Sequence, residues 1–275
     1  MTNPLISREF PPLRIFRKHA EEQRLKDVGG ILALLERSSS AEEYLKSLSC
    51  MPALHIHLIE LRTRKQSKNN AWFVYRRHAM TASITYAIFH AERKGSTKFR
   101  PIALIASCIN VPTKIPAMIW GSTNEQVAMD AYQKARQTDD PLHTVRKFGL
   151  ILDPSFAAWG GSPDGVGTTG SGEKYLIEIK CPFSFSEGSL VENGVERLCY
   201  LEPPGVLRKS HAYYFQVQCL MGIMKLKKCM LVIWCPKDML VIPVEFSNEF
   251  YQNVRNKCIS YYKNTYLKHI FDNRK

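Results

Sequence analysis

Two short segments in the middle of this 275-residue chain decide its fold: GSPDG at residues 161–165 and EIKCP at residues 178–182. The second segment closes a short, largely apolar strand, and its proline prevents the strand from continuing. Glu178 and Lys180 are two residues apart, so in a strand both side chains leave the same face. Ile179 between them is expected to point into the core.

A glycine-rich stretch separates the two segments and predicts a turn that reverses the chain. Such a turn brings Asp164 opposite Glu178, although thirteen residues lie between them. Two carboxylates and the Lys180 ammonium then share a small volume, where the like charges repel and a hard divalent cation relieves the repulsion. Mg²⁺ prefers carboxylate oxygens together with water and substrate phosphate. The pattern therefore predicts a metal site with Lys180 orienting an attacking water, against the alternative of a surface hairpin with a Glu–Lys pair.

Around this centre, apolar spacing and turn residues predict the remaining elements. Helices are expected over residues 13–66, 82–94, 121–137, 207–226 and 248–269. Strands are expected over residues 148–160, 175–180, 230–235 and 239–246, with a glycine-rich turn over 165–172. This order predicts an α/β (α+β) fold in which helices flank a mixed central β-sheet, with a helical region at the N-terminus.

A basic, polar stretch over residues 62–70 is interpreted as a boundary between two domains. Residues 1–70 would form an N-terminal helical extension, and residues 71–275 the main domain. The cations of this stretch fit a solvated loop and a DNA contact equally well.

The composition is strongly basic, with 38 Lys and Arg against 25 Asp and Glu, a formal charge of +13. Such a charge attracts polyanions, and nucleic acid is the usual partner. The eight cysteines have no zinc-finger spacing, so a reducing intracellular compartment is expected, with nucleus or cytoplasm left open. No secretory signal is recognised, and the most apolar stretch, residues 101–120, is too interrupted to span a membrane.

Five sequence elements, in order, resemble one family. They are WFVYR at residues 72–76 with TAS at 81–83, Trp120-Gly121 with Glu125, the two segments quoted above, and YYFQVQ at 213–218. Together they resemble the phage lambda exonuclease and viral alkaline nuclease family, also called YqaJ-type viral recombinases, within the PD-(D/E)xK nucleases. The resemblance implies a restriction-endonuclease-like core and covers residues 72–235.

The same resemblance implies a role for each matching residue. Asp164, Glu178 and the Ile179 carbonyl would bind the metal, Lys180 would position or activate the water, and Glu125 would lie at the metal. The pocket would be completed by Gln216 and Tyr213. A 5′-phosphate would be held by Arg76, Ser83 and Ser162.

Several of these residues also have a simpler reading. Glu125 follows Ser122 at the spacing of a capping box, where it would only satisfy backbone N–H groups at a helix start. Tyr213 and Gln216 would pass for the polar edge of a packed helix. Arg76 would be an ordinary surface residue, and the neighbouring Arg77 leaves the register open.

The expected function is a Mg²⁺-dependent 5′-to-3′ exonuclease on double-stranded DNA, with Mn²⁺ as a substitute, that leaves 3′ single strands for recombination. The alternatives are an endonuclease on DNA or RNA, and a nucleic-acid-binding protein with an inactive site. A single-strand annealing protein is an expected partner. The resemblance leaves both a monomer and a ring trimer open.

Overall fold

The centre of the molecule is a mixed five-stranded sheet, seen in a computed structural model that describes residues 30–91, 99–106, 115–192 and 194–273. Its strands stand in the order β10–β9–β6–β5–β2. They are β2 (Thr144–Arg146), β5 (Gly165–Thr168), β6 (Lys174–Lys180), β9 (Lys228–Trp234) and β10 (Met239–Glu245). This order puts β6 in the middle of the sheet. Strands β6 and β9 are parallel, and the other pairs are antiparallel.

A three-stranded sheet adjoins it, in the order β1–β4–β3, with β1 (Met80–Thr81), β3 (Ile151–Asp153) and β4 (Phe156–Gly161). Every residue of β4 is buried. At Gly161 a Cβ atom would lie 2.6 Å from a Leu220 methyl carbon, so a larger residue here would force the Leu220 side chain to shift. A small hairpin, β7 (Leu201–Glu202) with β8 (Val206–Leu207), lies outside both sheets.

Helices cover the sheets. They are α1 (Ile31–Arg37), α2 (Ala41–Ser49), α3 (Ala53–Thr63), α4 (Asn70–Arg76), α5 (Thr85–Phe89), α6 (Phe99–Ala106), α7 (Pro116–Asp139), α8 (Ala212–Met224), α9 (Asn248–Tyr261) and α10 (Leu267–Asp272). A π-helical turn, Tyr262–Tyr266, joins α9 to α10, so the predicted C-terminal helix is continuous. The expected mixed sheet flanked by helices is confirmed.

The N-terminal helices pack into the same core as the sheets. The Tyr44 hydroxyl of α2 lies 3.0 Å from that of Tyr262, and Thr63 Oγ1 of α3 accepts a hydrogen bond from the backbone N–H of Leu150 at 2.7 Å. The domain boundary at residue 70 stays a prediction. Residues 13–29 of the predicted helical region, and 92–94 of the next helix, lie outside the described residues.

Several boundaries differ from those predicted. The helix predicted over 82–94 is a 3₁₀ turn, Ala82–Ile84, followed by α5, which ends at Phe89. The segment 148–160 is a hairpin of two strands, because Asp153 and the turn after it reverse the chain. Residues 165–168 of the glycine-rich stretch form strand β5, and only 169–173 form the turn. Helix α7 begins five residues earlier than predicted, and α8 begins five residues later, at a His211 N-cap. No helix in the described parts of the chain is long and apolar enough to cross a membrane.

Candidate active site

Strand β6 places Glu178 and Lys180 at its C-terminal end, and the antiparallel neighbour β5 places Asp164 beside them. Gly165 pairs with Ile177, so Asp164 lies one residue further along, opposite Glu178. Its Oδ2 accepts a hydrogen bond from the backbone N–H of Ile179 at 2.7 Å. The predicted approach of the two carboxylates is confirmed, and Ile179 packs into the core on the opposite face of the sheet.

The Glu178 carboxylate is held by two donors on one of its oxygens. Lys180 Nζ lies 2.6 Å from Oε1, and Gln216 Nε2 from helix α8 donates to the same atom at 2.5 Å. The Lys180 ammonium also lies over the Tyr213 ring, 4.6 Å from its centre. Two strands and one helix therefore hold these side chains in one arrangement.

The second Glu178 oxygen, Oε2, is buried and accepts no hydrogen bond from any described residue. Burial, with the nearby Asp164 carboxylate, raises the pKa of Glu178 to about 8. Burial also raises the pKa of Asp164, against the attraction of Lys180 and the Ile179 N–H. Both carboxyls thus disfavour their charged forms in the protein alone, and an added cation would reverse that preference.

Lys180 keeps its proton. Burial works against its charge, but the Glu178 and Asp164 carboxylates outweigh burial and raise its pKa. At neutral pH this side chain is therefore a hydrogen-bond donor and a positive charge, not a base.

Glu125 approaches the carboxylates from helix α7, and the capping-box reading is wrong. The helix begins at Pro116, so Glu125 lies in its interior, and Ser122 Oγ donates to the carbonyl of Ile119 instead. Burial and the Asp164 carboxylate raise the pKa of Glu125. This third carboxyl faces the same cavity as the other two.

A second polar cluster lies at the other wall of the cavity. The Arg76 guanidinium stacks 4.0 Å above the Trp72 ring, and its Nη2 lies 3.2 Å from Thr81 Oγ1 and 3.4 Å from Ser83 Oγ. Trp72 Nε1 donates to Ser162 Oγ at 2.9 Å. The parallel pairing of β1 with β4 brings these segments together, since Thr81 pairs with Gly160.

One cavity of about 380 Å³ joins the two clusters. All ten residues singled out from the sequence line it: Arg76, Ser83, Glu125, Ser162, Asp164, Glu178, Ile179, Lys180, Tyr213 and Gln216. Arg76, not Arg77, lines the cavity, which resolves the register, while the role of each residue stays a prediction.

Sequence reasoning did not place Gln66 or Tyr200 at this cavity. Gln66 stands in the basic stretch that was singled out for its charge alone. Tyr200 lies between β6 and α8, in a segment where no spacing pattern pointed to the cavity.

The family model for the YqaJ-like viral recombinase domain matches residues 71–226, more than half of the chain. The chain belongs to this family. Among the cavity-lining residues, Gln66 alone falls outside the match. No curated protein matches the sequence.

Two solved proteins share the fold of this family member at low sequence identity. The alkaline exonuclease LHK-Exo from Laribacter hongkongensis is 21% identical, with a TM-score of 0.52 over 73% of this chain and 93% of its own. The shutoff and exonuclease protein from Kaposi's sarcoma-associated herpesvirus is 14% identical, with a TM-score of 0.55 over 84% and 77%. The latter has also been solved with DNA and with RNA.

The donor set of this YqaJ-type site fits a hard cation that keeps part of its water shell. In the part of the chain that the structure describes, no three His, Cys, Asp or Glu side chains come close enough to enclose a metal. Two carboxylates with a backbone carbonyl and open positions suit Mg²⁺, which binds few protein ligands and retains several waters. The unpaired Glu178 Oε2 is an oxygen that such an ion would satisfy.

Proposed function

We propose that this chain is a divalent-metal-dependent exonuclease that degrades linear double-stranded DNA from 5′ ends and leaves 3′ single-stranded tails for recombination. The observation that carries the proposal is the single cavity in which a carboxylate pair with a lysine faces an arginine with serine hydroxyls. A cleavage centre and an anion pocket at a fixed separation provide both a reaction and a starting end.

Mg²⁺, with Mn²⁺ as a substitute, would be held by Asp164, Glu178 and the Ile179 carbonyl. Bound there, the ion would lower the pKa of a coordinated water and stabilise negative charge on the phosphate. Glu125 would bind the water shell of the ion, since its carboxyl faces the cavity without approaching closely enough for a three-carboxylate site.

Lys180 would donate its proton in a hydrogen bond to the attacking water or to a phosphate oxygen. Its retained charge suits electrostatic stabilisation of the transition state, because the donor is fixed in advance by Glu178 and the Tyr213 ring. Gln216 would keep the Glu178 carboxylate oriented, since it donates to the oxygen that also binds Lys180.

Arg76 would set the direction of digestion. A guanidinium binds a terminal phosphate with two parallel hydrogen bonds, and the hydroxyls of Ser83 and Ser162 would add further donors. Stacking on Trp72 limits the orientations of the guanidinium before a substrate arrives.

An endonuclease acting on DNA or RNA is the second candidate. It is favoured by one observation: a protein of the same fold, the herpesvirus shutoff and exonuclease protein, has been solved with both nucleic acids. A single-strand annealing protein as partner, and assembly as a monomer or a ring trimer, remain parts of the proposal.

The test is incubation of the protein with Mg²⁺ and either end-labelled linear duplex or covalently closed circular duplex. Degradation of the linear form alone, with loss of label from 5′ ends first, is the expected result. Nicking of the circle would favour the endonuclease, and no cleavage of either form would leave only a binding protein. Parallel reactions on RNA decide the substrate class.

A further inference from the structure

A short 3₁₀ turn, Gln66–Lys68, is fastened to the rim of the active-site cavity. The Gln66 side-chain amide donates to two backbone carbonyls, those of Phe148 at 3.1 Å and Pro163 at 2.9 Å. Pro163 directly precedes Asp164, so this amide joins the basic stretch to the loop that carries a catalytic carboxylate. The Gln66 backbone has φ of 45°, a conformation that residues other than glycine adopt rarely. Its neighbours therefore fix the turn in place.

Two lysines stand on either side of this junction. Lys68 ends the turn, and Lys147 precedes Phe148, so both are carried by the segments that Gln66 joins. Both side chains are exposed, and neither forms an ion pair with any residue in the described ranges. Lys147 donates instead to the side-chain amide of Gln126, the residue after Glu125.

Both lysines lie close to the active-site cavity. The hydrogen bond to Gln126 places Lys147 beside the turn of helix α7 that carries Glu125, and Lys68 is two residues after Gln66, which lines the cavity. By contrast, the charge of Arg64 in the same basic stretch is neutralised by Glu60 at 2.8 Å. Lys68 and Lys147 thus keep a charge that no carboxylate among the described residues pairs with, unlike Arg64.

We propose that Lys68 and Lys147, held in place by Gln66, form a basic rim that binds backbone phosphates of the nucleic acid next to the phosphodiester being cleaved. This proposal rests on the proposed nuclease function and adds a binding site for the same substrate. A merely solvated loop would not need anchoring both to the loop that carries Asp164 and to the segment that carries Lys147, whereas a phosphate contact requires lysines at a set distance from the metal. Lysine contacts of this kind are independent of base sequence.

Salt dependence provides the test. Each phosphate neutralised on a duplex contributes about 0.9 to the slope of log affinity against log salt concentration. The double variant Lys68→Gln/Lys147→Gln is therefore expected to lower that slope by about 1.8 for a short 5′-phosphorylated duplex, measured in EDTA so that no cleavage occurs. Melting temperatures check that the variants fold, which is expected because both lysines are exposed.

The matched control is Lys46→Gln/Lys268→Gln, which removes the same charge from exposed positions on α2 and α10 that do not line the cavity. Its slope is expected to stay close to that of the parent. Equal decreases of the slope in both double variants would show that only net charge matters and would contradict the proposed rim. An unchanged slope in Lys68→Gln/Lys147→Gln would contradict it as well.

A second measurement locates the contact on the substrate. Replacing single phosphates near the cleaved bond with neutral methylphosphonates is expected to weaken binding to the parent at one or two positions, and to have no further effect at those positions in the rim variant. Additive losses in the rim variant would overturn the proposal. A parent that cleaves with Mg²⁺ while failing these tests contradicts the rim alone, whereas a parent that neither binds nor cleaves contradicts the proposed function as well.

Discussion

Two buried glutamates, Glu60 and Glu178, each lie beside a cation, but their hydrogen bonding differs. Glu60 Oε1 accepts from Arg64 Nε at 2.8 Å and from the N–H of Gly149 at 3.0 Å, while Oε2 accepts from Arg64 Nη2 at 2.8 Å. Glu178 receives both of its donors on Oε1 and none on Oε2. Glu60 thus has both oxygens paired, and Glu178 has one left over.

This difference in hydrogen bonding distinguishes a carboxylate that stabilises the fold from one that is suited to bind a cation. A buried charge whose lone pairs are satisfied holds segments together, here helix α3 against the chain before β3. A buried carboxylate with an unpaired oxygen and a like-charged neighbour, Asp164, is unfavourable alone and favourable around a cation. The two sites should therefore respond in opposite ways to mutation and to added metal.

The largest effect is expected from Asp164→Ala. If Asp164 is a metal ligand, cleavage of linear duplex should fall by about a thousandfold or more, because metal stabilisation of the transition state is worth several kcal/mol. The melting temperature without metal should stay the same or rise, since one of the repelling carboxylates is gone. Wild-type rates in this variant would exclude the site.

The matched change at the structural carboxylate is Glu60→Gln. It should retain cleavage, and it should lower the free energy of unfolding by about 1–3 kcal/mol, because it breaks a buried, charge-assisted network. Thermal or urea unfolding with a parallel cleavage assay measures both quantities. A loss of cleavage with unchanged stability would reverse the assignment of the two glutamates.

Lys180→Arg should come next in size. The charge is kept, but the planar guanidinium does not reproduce the compact ammonium held between Glu178 and the Tyr213 ring. Loss of one well-placed donor costs roughly a hundredfold in rate. The affinity of Lys180→Arg for duplex in EDTA should stay close to that of the parent. A variant that lost this affinity but kept the parental cleavage rate would show that Lys180 serves only in substrate capture.

Arg76→Ala should have a smaller and more selective effect. The parent is expected to digest 5′-phosphorylated ends faster than 5′-hydroxyl ends, by about tenfold for one charge-assisted contact. The variant should lose this preference and keep slow cleavage. Competition between the two duplexes measures the ratio directly, and a parent ratio of one would remove the proposed basis of directionality.

The smallest effect concerns stability against pH in the metal-free protein. Glu178 titrates near 4.5 in the unfolded chain and at about 8 in the fold, so the folded state binds the proton more tightly. Stability should therefore decline as pH rises from about 4.5 to about 8. Glu178→Gln should show a weaker decline and a higher melting temperature near pH 8, whereas parallel curves for variant and parent would contradict the raised pKa.

The core of the site was predictable because short-range geometry determines it. The two-residue period of a strand puts Glu178 and Lys180 on one face, and a glycine-rich return brings Asp164 alongside. The pocket around Arg76 came from the family resemblance, since three separate segments converge there and no spacing rule links them.

Other features depend on packing that a single sequence does not reveal. Strand β5 was predicted to be part of a turn because residues 165–172 contain four glycines, yet pairing with β6 orders Gly165 and Gly167. Glu125 was assigned to a helix start because Ser122 mimics a cap, while the helix in fact continues from Pro116. The place of Gln66 at the rim depends on two carbonyls far away in sequence.

The comparison of the two glutamates is tested most directly by Mg²⁺-induced stabilisation near pH 8. An ion that binds only the folded state raises the melting temperature, and the rise grows with the ion concentration. The parent and Glu60→Gln should both show a saturable rise with added Mg²⁺, and Glu178→Gln and Asp164→Ala should show little or none. An equal rise in all four proteins, or no rise in the parent, would contradict a metal site at Asp164 and Glu178.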